Sequence, residues 1–297
     1  MDEAIVTRGL TKSYGDTLAL DNLDLEVRSG EVFGFLGPNG AGKTTAIRLL
    51  LDVLRPDSGN ASVLGLDPQA EGVQMRRRVG YLPGDFATDG RQSPREFLTY
   101  LANLRGGVPP AHIVSLAERL ELDLASKIGS LSKGNRQKVG LVQAFMHTPE
   151  LLILDEPTSG LDPIMAREFL GMVAEAKEEG QTVFMSSHIL SEVQQGADRA
   201  GVIRKGRLIA IDDVDELRTR AMRYVQIVFD SEVAVGEFAG LDSVGDVDVD
   251  GNVMRCRLTG EADQLIKAVA RHRVIDFISE EPDLEAVFFH YYTGDER

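Results

Sequence analysis

Short apolar runs alternate with stretches of helical spacing along most of the chain. Ala4–Val6 and Leu23–Val27 alternate in part, as strands do. Glu31–Leu36 is a compact, largely apolar run followed at once by glycine. From residue 43 the apolar positions Ile47, Leu50, Leu51 and Leu54 fall at helical spacing until Pro56 and Gly59 break it. Val79–Leu82 predicts another strand. Residues 94–122 predict two helices separated by Gly106-Gly107 and Pro109-Pro110, and Lys133–His147 a further amphipathic helix. Leu151–Leu154 is apolar throughout and predicts a buried strand. Residues 163–179 predict a helix, Thr182–Ser186 a strand, and Val202–Arg204 with Leu208–Ile211 a hairpin around Lys205-Gly206.

Strands alternating with helices indicate a parallel α/β sheet. The stretch 85–147 holds helical patterns without strands and predicts an all-helical insert. Residues 212–222 are charged and predict a linking helix. From Tyr224 the period changes: Val225–Phe229, Val244–Val249 and Val253–Leu258 predict strands, 261–271 a helix and Val274–Ile278 a last strand, a small α+β unit. No repeat or low-complexity tract is present.

Composition narrows the functional classes. At 297 residues, 43% hydrophobic and 27% charged, the chain is an ordinary globular mix. It carries 32 Lys+Arg against 47 Asp+Glu, a formal charge of −15. A protein that wraps duplex nucleic acid releases phosphate counterions with a basic surface, and this balance argues against such a partner. Residues 221–297 hold 16 acidic and 7 basic side chains, so acidity is concentrated there; it serves either as a solvated surface or as a contact with another subunit. Cys256 is the only cysteine, which allows no intrachain disulfide and suits a reducing compartment. His272 and His290 are not spaced with other ligands, so no metal site is expected there. Met1-Asp2-Glu3-Ala4 lacks the basic start of a signal peptide. No apolar run approaches the ~20 residues that span a bilayer. Any work at a membrane is therefore expected to pass through a partner.

The strongest local signal is Gly37-Pro38-Asn39-Gly40-Ala41-Gly42-Lys43-Thr44-Thr45, which fits G-x4-G-K-[ST] between a predicted strand and a predicted helix. Glycines permit a loop whose N–H groups face inward around phosphates, and the helix that follows adds its N-terminal partial positive charge. Lys43 is placed to reach the β and γ phosphates, and the Thr44 hydroxyl to ligate Mg²⁺. Further on, Leu151–Leu154 ends in Asp155-Glu156. Asp155 at the strand end is expected beside the phosphate loop, holding Mg²⁺ directly or through water. Glu156 is then free to polarise the attacking water as a general base.

With these come Leu131-Ser132-Lys133-Gly134-Asn135-Arg136-Gln137-Lys138 upstream, then Ser159-Gly160-Leu161-Asp162 and His188. In that order the motifs resemble the ATPase subunits of ATP-binding cassette (ABC) transporters, over roughly residues 3–215. Ser-Lys-Gly-Asn in the signature, and the ending Glu281–Phe288, look like the stand-alone ATPases of ABC-2 type drug, antibiotic and sodium exporters. The resemblance implies a P-loop NTPase fold of ABC type, with a mixed sheet core, an N-terminal antiparallel β part and the helical insert. It divides the chain into an ATPase domain, 1–215, and a small accessory domain, 216–297. It implies that Tyr14 stacks on adenine and that Ser132 and Gly134 contact the γ-phosphate bound by an opposite subunit. It further implies that Asp162 belongs to a loop communicating across a dimer, and that His188 is the switch histidine near the γ-phosphate. The implied activity is ATP hydrolysis driving export through a separate ABC-2 type permease. Two copies, expected to be identical, would sandwich two ATP–Mg²⁺ head to tail at the cytoplasmic face of the membrane.

Three positions depart from the pattern. Gly84, followed by Asp85, stands where the family usually has a glutamine that meets Mg²⁺ and the lytic water; Asp85 or a water is left to fill that place. Lys133 replaces a signature glycine, either adding charge near a bound γ-phosphate or pointing to solvent. Asn135 replaces a signature glutamine. Phe288, Phe289, Tyr291 and Tyr292 are expected to plug the core of the small domain. Two other function classes stay open: an ABC-type ATPase acting on nucleic acid or the ribosome, and a nucleotide-dependent regulator without turnover. The first typically needs long coiled coils or two cassettes per chain. The second is kept open by Gly84, although Lys43, Asp155, Glu156 and His188 are all present.

Overall fold

The computed structural model describes residues 2–88, 90–220 and 222–280. The chain divides between Ile211 and Asp212 into two compact units. The first opens with a long antiparallel pair, β1 (Glu3–Tyr14) and β2 (Thr17–Arg28), followed by β3 (Val32–Leu36), α1 (Lys43–Leu50), β4 (Ser58–Val63), α2 (Gly72–Arg77) and β5 (Val79–Leu82). Three helices come next, α3 (Pro94–Leu104), α4 (Pro110–Arg119) and α5 (Lys133–Phe145). The unit continues with β6 (Leu151–Asp155), α6 (Pro163–Glu178), β7 (Thr182–Ser187), α7 (Leu190–Gly196), β8 (Arg199–Arg204) and β9 (Arg207–Asp213).

A six-stranded sheet, β5-β6-β7-β3-β8-β9, forms the centre. Its pairings from β5 through β8 are parallel. The strands read as unbroken apolar runs because both faces are covered. Along β6, Leu151 and Ile153 join the core shared with β1, β2 and α1, while Leu152 and Leu154 join the core under α3–α6. The period-2 alternation of a strand thus feeds two cores at once. β8 and β9 meet through Lys205 at φ 48° and Gly206 at φ 79°, the positive pair that a tight two-residue hairpin requires.

The antiparallel sheet β2-β1-β4 packs against the α1 side. β1 and β2 are far longer than the apolar cores at Ala4–Val6 and Leu23–Val27. Their polar positions are tied across the pair instead, by an Arg8–Glu26 ion pair and by the Thr7 hydroxyl donating to the Leu23 carbonyl at 2.8 Å. Among the described residues, 85–147 contain helices and no strand, as the pattern predicts. Ser93 caps α3 and shares a capping box with Glu96, with Pro94 in the first turn.

The second unit carries α8 (Val214–Arg220), β10 (Met222–Phe229), β11 (Val244–Asp250), β12 (Val253–Thr259), α9 (Asp263–Val269) and β13 (Val274–Ser279). Its antiparallel sheet runs β11-β12-β10-β13. Val225, Ile227 and Phe229 point to one face and pack with Met254, Leu258 and Leu265. Cys256 is buried there, and burial pushes its thiol pKa up. The ending at Glu281–Phe288, His290 and the aromatic cluster Phe288, Phe289, Tyr291 and Tyr292 lie outside the described residues.

Candidate functional site

The phosphate loop sits where the central parallel strands end, the edge at which open α/β sheets bind ligands. β3 runs between β7 and β8, and Gly37 N donates to the Ser187 carbonyl at 3.1 Å as the loop leaves the sheet. Gly42 has φ 113°, and a Cβ there would fall 2.6 Å from the Ala19 carbonyl, so only glycine allows the loop to turn into α1. Pro38, Asn39, Gly40, Ala41, Gly42, Lys43, Thr44 and Thr45 line a cavity of about 190 Å³ together with Ala19 and Glu156.

Lys43 is 5% exposed. Its Nζ donates to the Gly37 carbonyl at 2.6 Å and the Pro38 carbonyl at 3.3 Å, and stands 3.1 Å from Glu156 Oε1. The buried ammonium is thus neutralised by the carboxylate across the cavity. β6 delivers Asp155 fully buried, where it accepts from the Thr44 hydroxyl at 2.7 Å and from the Ser186 hydroxyl at 2.6 Å. Burial first, and then the Asp155 charge, push the Tyr81 phenol pKa up. Glu156 has φ 49°, an uncommon backbone state for a residue with a Cβ. Its N–H is held by the Ser186 carbonyl at 3.2 Å and hydroxyl at 3.1 Å. Its second carboxylate oxygen lies 2.6 Å from His188 Nδ1. The loop, Asp155, Glu156 and His188 therefore form one constellation.

The oxygen donors suit a small hard cation: the Thr44 hydroxyl and the Asp155 carboxylate lie side by side. Gly84 passes close, and a Cβ on it would come within 3.1 Å of Asp155 Oδ2. That oxygen is buried and already accepts from the Thr44 hydroxyl. Asp85 is exposed.

Four expected residues stand elsewhere. Tyr14, at the end of β1, is 47% exposed and is not among the residues lining the cavity. Ser132 caps α5, accepting from Asn135 N at 3.2 Å. Asp162 caps α6, accepting from Ile164 N and Met165 N at 3.0 Å each; these bonds, the one from Met165 first, lower its pKa. Among the described residues, no hydrogen bond or ion pair joins Ser132, Gly134 or Asp162 to the phosphate loop of the same chain. Lys133, expected near phosphate or in solvent, is exposed, and its Nζ donates to the Ser159 hydroxyl at 3.0 Å.

Sequence reading missed Ser186, Gln137, Thr158 and Glu192. Gln137, only 2% exposed, donates to the carbonyls of Glu156 and Pro157. Glu192 accepts from the hydroxyls of Thr158 and Ser187. The available signals were faint: two serines just before His188, and a glutamine among the several polar residues of α5.

Comparison with known proteins agrees with this geometry. A profile of the family described as ABC transporter matches residues 20–159. The chain is 39% identical over 232 residues to the bacitracin transport ATP-binding protein BcrA of Bacillus licheniformis, covering 76% of this chain and 75% of that protein. It is 37% identical over 310 aligned positions to the daunorubicin resistance ATP-binding protein DrrA3 of Streptomyces coeruleorubidus, covering 100% and 98% respectively. A solved structure described as the ATP binding subunit of an ABC transporter superposes with TM-score 0.66 at 29% identity, over 72% of this chain and 92% of that one. A cassette described as dimeric, in a post-hydrolysis state bound to ADP and Pi, superposes with TM-score 0.64 at 21% identity, over 71% and 98%, a likeness of fold.

Proposed function

The chain belongs to the ABC transporter ATP-binding family, and from that premise we propose that it is the ATP-hydrolysing subunit of an exporter whose membrane path lies on a separate ABC-2 type permease. The observation that carries this reading is the buried Lys43–Glu156 pair lying across the phosphate-loop cavity, beside Thr44–Asp155.

The proposed chemistry follows from these partners. A triphosphate entering the loop offers Lys43 stronger anionic partners than Glu156. Exchange of that pairing frees Glu156 to take a proton from the attacking water, with His188 Nδ1 orienting the carboxylate. Asn39, Gly40, Gly42 and Thr45 bound the space for the phosphates. Thr44 and Asp155 would hold Mg²⁺, which when bound neutralises charge on the phosphate oxygens. Tyr14 remains the proposed adenine contact.

Among the described residues, Ser132 and Gly134 at the α5 N-terminus make no hydrogen bond to the phosphate loop of their own chain, which supports their serving the site of a second, identical copy. Asp162 is proposed to face the same junction. ATP closes such a dimer only by binding the closed state more tightly than the open one. No helix of the described residues is long and apolar enough to cross a membrane. A membrane-spanning partner at the cytoplasmic face is proposed on that ground and on the transport and resistance named for the relatives. Residues 1–215 are taken as the ATPase and 216–297 as the accessory domain.

The test is ATP turnover by the purified chain against its Lys43→Ala variant. The wild type is expected to release phosphate and the variant to lose ATP binding. Unchanged nucleotide affinity in Lys43→Ala would remove the phosphate loop from the mechanism.

A further inference from the structure

The loop after β6 is held on both sides. On one side Gln137 spends both protons of its side-chain amide on that loop, donating to the Glu156 carbonyl at 3.2 Å and to the Pro157 carbonyl at 3.1 Å. One turn earlier on α5, Lys133 Nζ donates to the Ser159 hydroxyl at 3.0 Å. Between them, a Cβ on Gly134 would fall 2.3 Å from the Gly160 carbonyl, so the helix and loop backbones are in contact. On the other side, the Thr158 hydroxyl donates to Glu192, which also accepts from Ser187, the residue before His188. Glu156 itself keeps φ 49°. A left-handed residue with a side chain is strained and persists only where its surroundings over-determine it.

From this arrangement we infer that Gln137 is a positioning residue for Glu156, linking the seating of the α5 N-terminus to the orientation of the general base in the same chain. The inference rests on the head-to-tail reading above. In that reading the first turn of α5 abuts the nucleotide held by the partner, whereas Glu156 serves the nucleotide held by its own loop. Gln137 is buried, neutral and not among the residues lining the Lys43 cavity, so it acts on the site through Glu156 and touches neither the phosphates nor the reacting water. Its action passes through two peptide carbonyls. A helix displaced at its N-terminus carries Lys133, Gly134 and Gln137 with it, because residues one turn apart share a face. The Glu156 peptide follows, and the two nucleotide sites become coupled through a path within one chain.

The experiment compares the full-length wild type with Gln137→Met, which keeps the volume and loses the donors, and with Gln137→Glu. Gln137→Met is expected to bind ATP within twofold of wild type while kcat falls at least tenfold. Placed on Glu156→Gln, the same substitution is expected to leave the ATP-dependent dimer seen by size-exclusion chromatography unchanged. In Gln137→Glu a protonated carboxyl can donate, whereas a carboxylate would face two carbonyls in a buried site that favours the neutral form. The ratio of its kcat to that of wild type is therefore expected to rise as pH falls from roughly 8.5 to 6. A Gln137→Met kcat within twofold of wild type, or a ratio for Gln137→Glu that does not change with pH, overturns the inference. Should the buried variants fail to fold, Ser159→Ala removes the Lys133 tie from the loop side; a severalfold lower kcat at unchanged ATP affinity is expected, and an unaltered kcat overturns the inference. A wild type that binds ATP without hydrolysing it would overturn the proposed function instead, and is distinguished by its own turnover.

Discussion

Glu156 stands between two nitrogens, Lys43 Nζ at 3.1 Å and His188 Nδ1 at 2.6 Å, with its backbone locked by Ser186. Charge and position are separable here, because glutamine has the shape of glutamate without its basicity. Glu156→Gln is expected to retain ATP and to lose hydrolysis by about 10²–10⁴-fold, the usual share of a general base. Single-turnover phosphate release and equilibrium ATP binding check the two halves, and turnover at the wild-type rate removes Glu156 from the role. Gly84 matters at the same scale. Its backbone passes beside the buried Asp155, and Gly84→Ala would bring a Cβ to 3.1 Å from Oδ2.

At the scale of elements, the end of α5, the end of α3 and β5 meet at His147. Arg105 donates to His147 Nε2 at 2.8 Å and to the Val79 carbonyl at 3.4 Å. Burial first, and then the Arg105 charge, hold the imidazole pKa down at about 4, against an ordinary 6.5. The folded state thus refuses a proton that the unfolded chain accepts. The contribution is complete above pH 6.5 and is lost as pH falls toward 4. It amounts to about 2 kcal/mol after allowance for solvent screening. The denaturation midpoint is expected to fall between roughly pH 7 and pH 5, and His147→Gln to flatten that fall. Equal pH dependence in both proteins would refute the assignment.

The same scale explains what could be read from the chain. β3, β6 and β7 are buried on both faces, so their runs stand out at sequence level. β4, Ser-Gly-Asn-Ala-Ser-Val, buries only Val63 and exists through its pairing with β1, where Ile5 meets Val63 and Thr7 meets Ala61. α2 and α7 have 6 and 7 residues, too few to display a period. The constellation was legible as far as each side chain stands next to a motif. Gln137 reaches Glu156 across 19 positions of sequence and Glu192 reaches Thr158 across 34, and neither left such a mark.

At the scale of the whole molecule, the charge of −15 offers no net basic surface. The purified chain is expected not to retain duplex DNA even at low salt, in a filter-binding or mobility-shift assay with and without ATP. Salt-sensitive retention would revive the nucleic-acid reading. Residues 221–297 carry much of the acidity in a unit with its own sheet and core, so the charge describes that unit more than the phosphate-loop unit. What the sequence determined by itself is the alternation of strands and helices, the phosphate loop and the order of the motifs, because these depend on short-range spacing. Only tertiary structure decided which motifs meet. Parallel strands ending at one edge bring together Lys43, Asp155, Glu156 and His188, whose outermost members are 145 positions apart. The same packing directs Ser132 and Asp162 to cap helices and sets Gln137 under the Glu156 peptide. Such contacts depend on how elements dock, and a residue's neighbours along the chain carry no record of that.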